Sequence, residues 1–261
     1  MCADRLKQAP LVEAIVEVQW DAKMQEGPIP TSTDYIPFLA RFMQVFQEEY
    51  PAREPAPGAD APAEIAAQMH MVQQRFRTAK GAWPLVQVGP TTFTLNETEA
   101  YDWGGDFRDR AVRALEKLFK AFDNPDDVLV KSLLLRYIDG IEFDRGDQEI
   151  LDFLAKSLQT GIRLIPALFE GTGVGQSPIG VDLRWSFACG VPKGVAHLRF
   201  ASGQSRGRNG IIMETMVQST DDDVPSLPDG FAGWLDLAHR VTSTWFHAIP
   251  NEKLHRRFEG D

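Results

Sequence analysis

Strict alternation is the clearest pattern in the chain. Across residues 11–20 (LVEAIVEVQW), Val12, Ala14, Val16, Val18 and Trp20 alternate with Leu11, Glu13, Ile15, Glu17 and Gln19. Period two with one wholly apolar set predicts a strand whose one face is buried. Gly27, Pro28 and Pro30 then break the pattern. A helical period follows. Phe38, Leu39, Phe42, Val45 and Phe46 predict a helix from a cap at Thr33 or Asp34 to about residue 50, stopped by Pro51. Residues 51–63 (PAREPAPGADAPA) read as a proline-rich loop. A weak strand is expected over 72–78. A clearer one is expected over 84–95, kinked at Gly89 and Pro90.

The turn at 102–106 leads into a second amphipathic helix, striped by Phe107, Val112, Leu115, Leu118, Phe119 and Phe122. A long strand is predicted over 128–143, with Gly140 at a bulge or bend. A third helix covers 150–158, and a glycine-rich irregular stretch covers 161–178. Strands follow at 181–187, 195–201 and 211–218, then a last helix over 231–249. The order is β-α-β-β-α, then β-α-β-β-β-α. The predicted fold class is α+β: two related βαββ(β)α units, residues 1–127 and 128–261, forming one curved antiparallel sheet with long helices packed on one face. Element order alone suggests an internal duplication.

Length and composition narrow the setting. A chain of 261 residues, 43% hydrophobic, can bury one large core or two modest ones. No apolar run reaches the roughly 18–20 residues of a membrane span. The first residues lack an apolar signal region, and Cys2 and Cys189 make neither a disulfide framework nor a metal site. A reducing, cytoplasmic setting is the expectation. The net charge of −10 disfavours a large nucleic-acid footprint and docking on anionic lipid.

Several short strings carry a resemblance: Ala9-Pro10-Leu11-Val12-Glu13-Ala14; Val86-Gln87-Val88-Gly89-Pro90 with Phe93 and Asn96; Tyr101, Trp103 and Phe107; Arg136-Tyr137-Ile138-Asp139-Gly140-Ile141; and His239 followed by Phe246. In order and spacing the chain resembles a sporadically distributed family of uncharacterised bacterial proteins of about this length. Asp139 stands where such relatives often carry an amide. The resemblance implies a single architecture, supplies no catalytic residues, and suggests an accessory role in defence or mobile-element systems.

The candidate site follows from strand parity. Glu13 and Glu17 share a face, roughly 13 Å apart, too far for a shared proton. Arg136 interrupts an apolar run and must find a partner or water. With Arg184 it could clamp a carboxylate or phosphate, or it could pair with Glu13 or Glu17; Arg199 shares a strand face with His197. Glu13, Glu17, Arg136, Arg184 and Arg199 are therefore the candidate ligand-binding set. No cofactor or metal fingerprint is present. The expected function is a non-catalytic module that binds a small molecule or protein partner. The alternative is an enzyme whose site converges from several strands, with Glu13, Glu17, His197 and Glu214 as its residues. Self-association is a third reading.

Other features read as structural. His239 is a packing residue on the last helix, and the eight-residue spacing of His247 and His255 does not suit a shared metal. The glycines of 171–175 lack the strand–loop–helix setting of a phosphate loop. Residues 202–210 read as a long hairpin loop, and Trp103 sits in a glycine-rich turn as a packing or contact residue.

Overall fold

The alternating segments pair edge to edge into one antiparallel sheet of nine strands. The computed structural model describes residues 6–21, 32–98, 100–143, 148–205 and 207–260. The expected break at Gly27, Pro28 and Pro30, Cys2, and the loop residue Arg206 lie outside them. In chain order the elements are β1 (Leu11–Asp21), α1 (Ser32–Phe46), β2 (Ala52–Pro55), α2 (Ala63–Gln68), β3 (Gln74–Arg77), β4 (Leu85–Val88) and β5 (Thr92–Glu97). A π-turn (Trp103–Phe107) then opens α3 (Arg108–Ala121), followed by β6 (Leu129–Glu142) and α4 (Ile150–Ser157). The chain ends with β7 (Asp182–Gly190), β8 (Lys193–Ser205), β9 (Arg208–Thr220), α5 (Phe231–Ala248) and α6 (Glu252–Glu259).

The strand order is β2-β3-β4-β5-β1-β6-β9-β8-β7. The first strands of the two halves, β1 and β6, are neighbours at the centre, and β3-β4-β5-β1 has the same pairing order as β7-β8-β9-β6. The sheet is not closed. Alternation decides which side chains face the helices: Ala14, Val16, Val18 and Trp20 of β1 and Leu133, Leu135 and Tyr137 of β6 are buried. They pack with Phe42 and Phe46 of α1, Leu115 and Leu118 of α3, and Trp234 and Leu235 of α5. This cluster draws on both halves of the chain. A second cluster around Phe153, Leu154, Phe200, Ile211 and Met213 is closed by Leu254 and Phe258 of α6.

Several expectations need correction. The expected single strand over 84–95 is two strands, β4 and β5, joined by a tight turn in which the Gly89 N–H donates to the Thr92 carbonyl at 2.9 Å. Gly89 is required there because a Cβ would lie 1.9 Å from the Met71 carbonyl oxygen. The proline-rich stretch contains a short edge strand, β2, where Pro55 costs no ladder bond that an inner strand would need. Residues 202–210 are not a long loop, because β8 and β9 stay paired out to Ser205 and Arg208. Finally, α6 was not anticipated from the sequence. Asn251 caps it by accepting from the Leu254 N–H at 2.8 Å, and Gly260, at φ +91°, ends it.

The long strand β6 runs through Gly140 in unbroken register with β9. The irregularities sit instead in its pairing with β1, between Leu11 and Glu13 and between Gln19 and Trp20. Among the described residues no helix is long and apolar enough to cross a membrane.

Candidate functional site

The face of the sheet away from the long helices carries the polar half of each alternating strand. Register fixes its layout. Ile15, Arg136, Met216, His197 and Ser186 form one row across β1, β6, β9, β8 and β7. Glu13, Ile138, Glu214, Arg199 and Arg184 form the next. Every residue singled out for the ligand-binding set and its catalytic alternative therefore lies on one face.

Their partners differ from those expected. Arg136 does not pair with Glu13 or Glu17. Its Nη2 donates to Glu214 Oε2 at 2.6 Å, and Arg199 Nη1 donates to Glu214 Oε1 at 2.8 Å. The same Arg199 makes a fork to Asp182, with Nε and Nη2 at 2.7 and 2.8 Å. One carboxylate thus ties β6 to β8 across β9, and such charge-assisted, two-pronged bonds are the stronger kind. Glu13 instead accepts from Asn96 Nδ2 at 2.7 Å. Asn96 ends a chain of polar contacts through Thr94 and Gln87 to Arg75, all on the same face. Glu17 accepts from Gln19 at 2.7 Å, and burial raises its pKa against the opposing pull of that bond, His70 and Arg136.

In the second half of the sheet the lattice leaves a cavity of about 80 Å³, lined by Arg136, Arg184, His197, Arg199, Glu214 and Met216. That volume admits a few waters or one small anionic group. Arg184 has no ion-pair partner among the described residues. Arg136 Nε is buried and donates to nothing among the described residues. Three guanidinium groups here face two carboxylates, Glu214 and Asp182, an excess of one positive charge. His197 adds none at neutral pH, since burial and then the charge of Arg184 depress its pKa.

The catalytic alternative is not assembled as expected. His197 Nδ1 shares a hydrogen bond with Ser186 Oγ at 2.8 Å, and Glu214 is engaged by the two arginines. Ser186 went unnoticed in the sequence. Its only signal was parity with Arg184.

A second polar cluster lies on the helix side. Tyr101 and Tyr137 share a hydroxyl–hydroxyl bond of 2.8 Å, and Tyr137 Oη lies 3.0 Å from His239 Nδ1. Trp103, held by the π-turn, stacks on His239 at 3.7 Å between ring centroids. The Asp102 carboxylate shapes that turn by accepting from the Gly105 N–H at 2.9 Å. Arg108 and Asp236 fasten α3 to α5 alongside, by bonds of 2.6 and 2.7 Å. Asp139, two residues from Tyr137 on the same face, is 2% exposed, and its Oδ2 has no partner. Burial lifts its pKa to about 7 and drops that of His239 to about 4. The Gly140 N–H meanwhile donates to the Pro10 carbonyl at 2.8 Å. Pro10, Tyr101, Trp103, Tyr137, Gly140 and His239 thus meet in one place.

Tyr137→Phe should cost about 1 kcal/mol, because it strips one hydroxyl from two partners in a protected site. Urea denaturation checks this. No measurable loss would mean water replaces both bonds.

His247 and His255 also meet. The chain turns at Pro250 between α5 and α6 and brings His247 Nδ1 to 3.0 Å from His255 Nε2. No group of three or more histidine, cysteine or acidic residues among the described residues could hold a metal. No known family model matches the chain, and no curated protein matches it.

Proposed function

We propose that the protein is a binding module that captures the carboxylate or phosphate of a small ligand in the cavity between Arg136, Arg184 and Arg199. The observation that carries this reading is the uncompensated Arg184 beside an unused buried donor, Arg136 Nε, in a pocket with excess positive charge. An anion there would complete both groups. A buried donor without a partner is costly, and a ligand that satisfies it recovers that cost on binding. Glu214 and Asp182 hold the arginines in place, so the pocket is organised before the ligand arrives. The shared pairing order of β3-β4-β5-β1 and β7-β8-β9-β6 supports a duplicated ancestry, in which one half kept its polar face covered and the other kept it open.

The test is titration of the full chain with inorganic phosphate and with malonate, followed by calorimetry and by amide shifts in the NMR spectrum. The unaltered protein is expected to bind one of them at one site, with shifts centred on β7 and β8. Arg184→Ala is expected to weaken binding at least about tenfold with no loss of stability, since Arg184 makes no ion pair in the free protein. Unchanged affinity in that variant would overturn the reading.

A second reading rests on the Ser186–His197 pair, which has the spacing of a nucleophile and its base. It ranks lower because no carboxylate orients the imidazole, and the strand hydroxyl lies at an open sheet edge.

A further inference from the structure

We infer that β7 is an interface between two copies of this chain, paired antiparallel about a twofold axis at Ser186 so that the two sheets become one. Three independent features point there.

The first is where apolar surface is left uncovered. Among the described residues thirteen large apolar side chains are exposed, and eight of them fall between Leu164 and Val195. Ile179 is 90% exposed, and Phe187 of β7 is 48% exposed although one side of its ring meets Trp245. Single apolar residues need no explanation, but eight of them along the segment that leads into, forms and follows β7 are what a strand added at this edge would help to cover.

The second is the edge itself. The two ends of the sheet are unlike. At one end β2 is four residues long and finishes on Pro55, which blunts it. At the other end β7 is nine residues long, contains no proline, and pairs with β8 without a bulge. Among the described residues its outer backbone groups have no strand partner. Such an edge is a template for strand addition.

The third feature selects the occupant. The chain carries a net charge of −10, so most of its surface repels a second copy. The stretch from Leu164 to Val195 is balanced: Glu170 and Asp182 against Arg184 and Lys193. The sequence of β7 is also self-complementary. With Ser186 on the axis, all nine residues pair, and Trp185 falls opposite the partner's Phe187 on the helix side, twice over. Cross-strand aromatic pairs are among the favourable contacts of a sheet. On the open side Arg184 faces the partner's Ala188, which is small enough to leave the guanidinium in its cavity.

The experiment uses the full chain. Sedimentation over a range of concentrations is expected to show a monomer–dimer equilibrium lying towards dimer at micromolar protein. Phe187→Glu, at a side chain 48% exposed in the single chain, should weaken the dimer at least about tenfold by replacing both aromatic pairs with a charge beside the partner's Trp185. Register is read by crosslinking in a Cys2→Ser, Cys189→Ala background. Ser186→Cys should oxidise to a covalent dimer, because directly opposed residues lie within disulfide reach. Arg184→Cys, opposite alanine, should not. A chain that stays monomeric at all concentrations overturns the inference, as does a dimer that ignores Phe187→Glu and fails to crosslink at 186. Phosphate binding is measured separately, so loss of the dimer and loss of the anion site are distinguishable.

Discussion

Replacing Asp139 with asparagine is expected to stabilise the protein by about 4 kcal/mol near pH 8 and to change it little near pH 4. The cause is desolvation. The carboxyl is 2% exposed, its Oδ2 lacks a partner, and its pKa rises from 3.8 to about 7. The folded protein therefore keeps this proton in a range where the unfolded chain has released it. The contribution of this group to stability is complete below pH 3.8 and is lost as pH rises through about 7. Asparagine is neutral at every pH and close in shape. Other groups titrate in the same range, and His239, with its pKa depressed, acts with the opposite sign. The difference between the two proteins is the quantity to follow. Urea unfolding at a series of pH values should give curves that coincide in acid and separate through neutrality. Parallel curves would mean that Asp139 is solvated or paired in the folded state.

The faces of the sheet were legible in the sequence because period two leaves no freedom. Once Val16 and Val18 point inward, Glu13 and Glu17 point outward, and the same argument places Arg136, Arg184 and Arg199. Strand adjacency was not legible. Arg136 meets Glu214 only because β6 pairs with β9, a strand whose start lies far along the chain, in the register that sets Ile138 against Glu214. Parity alone made Glu13 and Glu17 equally good partners. The turn at Gly89 gave the same signal as a kink, since glycine and proline serve both. The Tyr101–Tyr137–His239 cluster could not be assembled either, because its members come from a turn, a strand and a helix. Asp139, beside that cluster, falls on the apolar parity of β6, where an acid must be neutral or paired. The meeting of His247 and His255 depends on a bend at Pro250 that helical spacing does not contain.

Glu214→Gln should separate the structural and ligand-holding roles of the open face. The Glu214 carboxylate is 12% exposed and bonds two guanidinium groups that are 33% and 28% exposed. Removing its charge leaves Arg136, Arg184 and Arg199 facing Asp182 alone. Breaking a buried ion pair from one side typically costs about 3–5 kcal/mol, and the partial exposure of these arginines brings the expectation down to about 2–3 kcal/mol. The same change raises the excess positive charge of the cavity from one to two. Anion affinity should therefore rise as stability falls, and saturating phosphate should restore part of the lost stability by mass action. A purely structural lattice predicts the first effect without the other two. Thermal unfolding of both proteins with and without phosphate reads all three at once. If phosphate stabilises Glu214→Gln no more than the unaltered chain, the arginines serve the sheet and not a ligand.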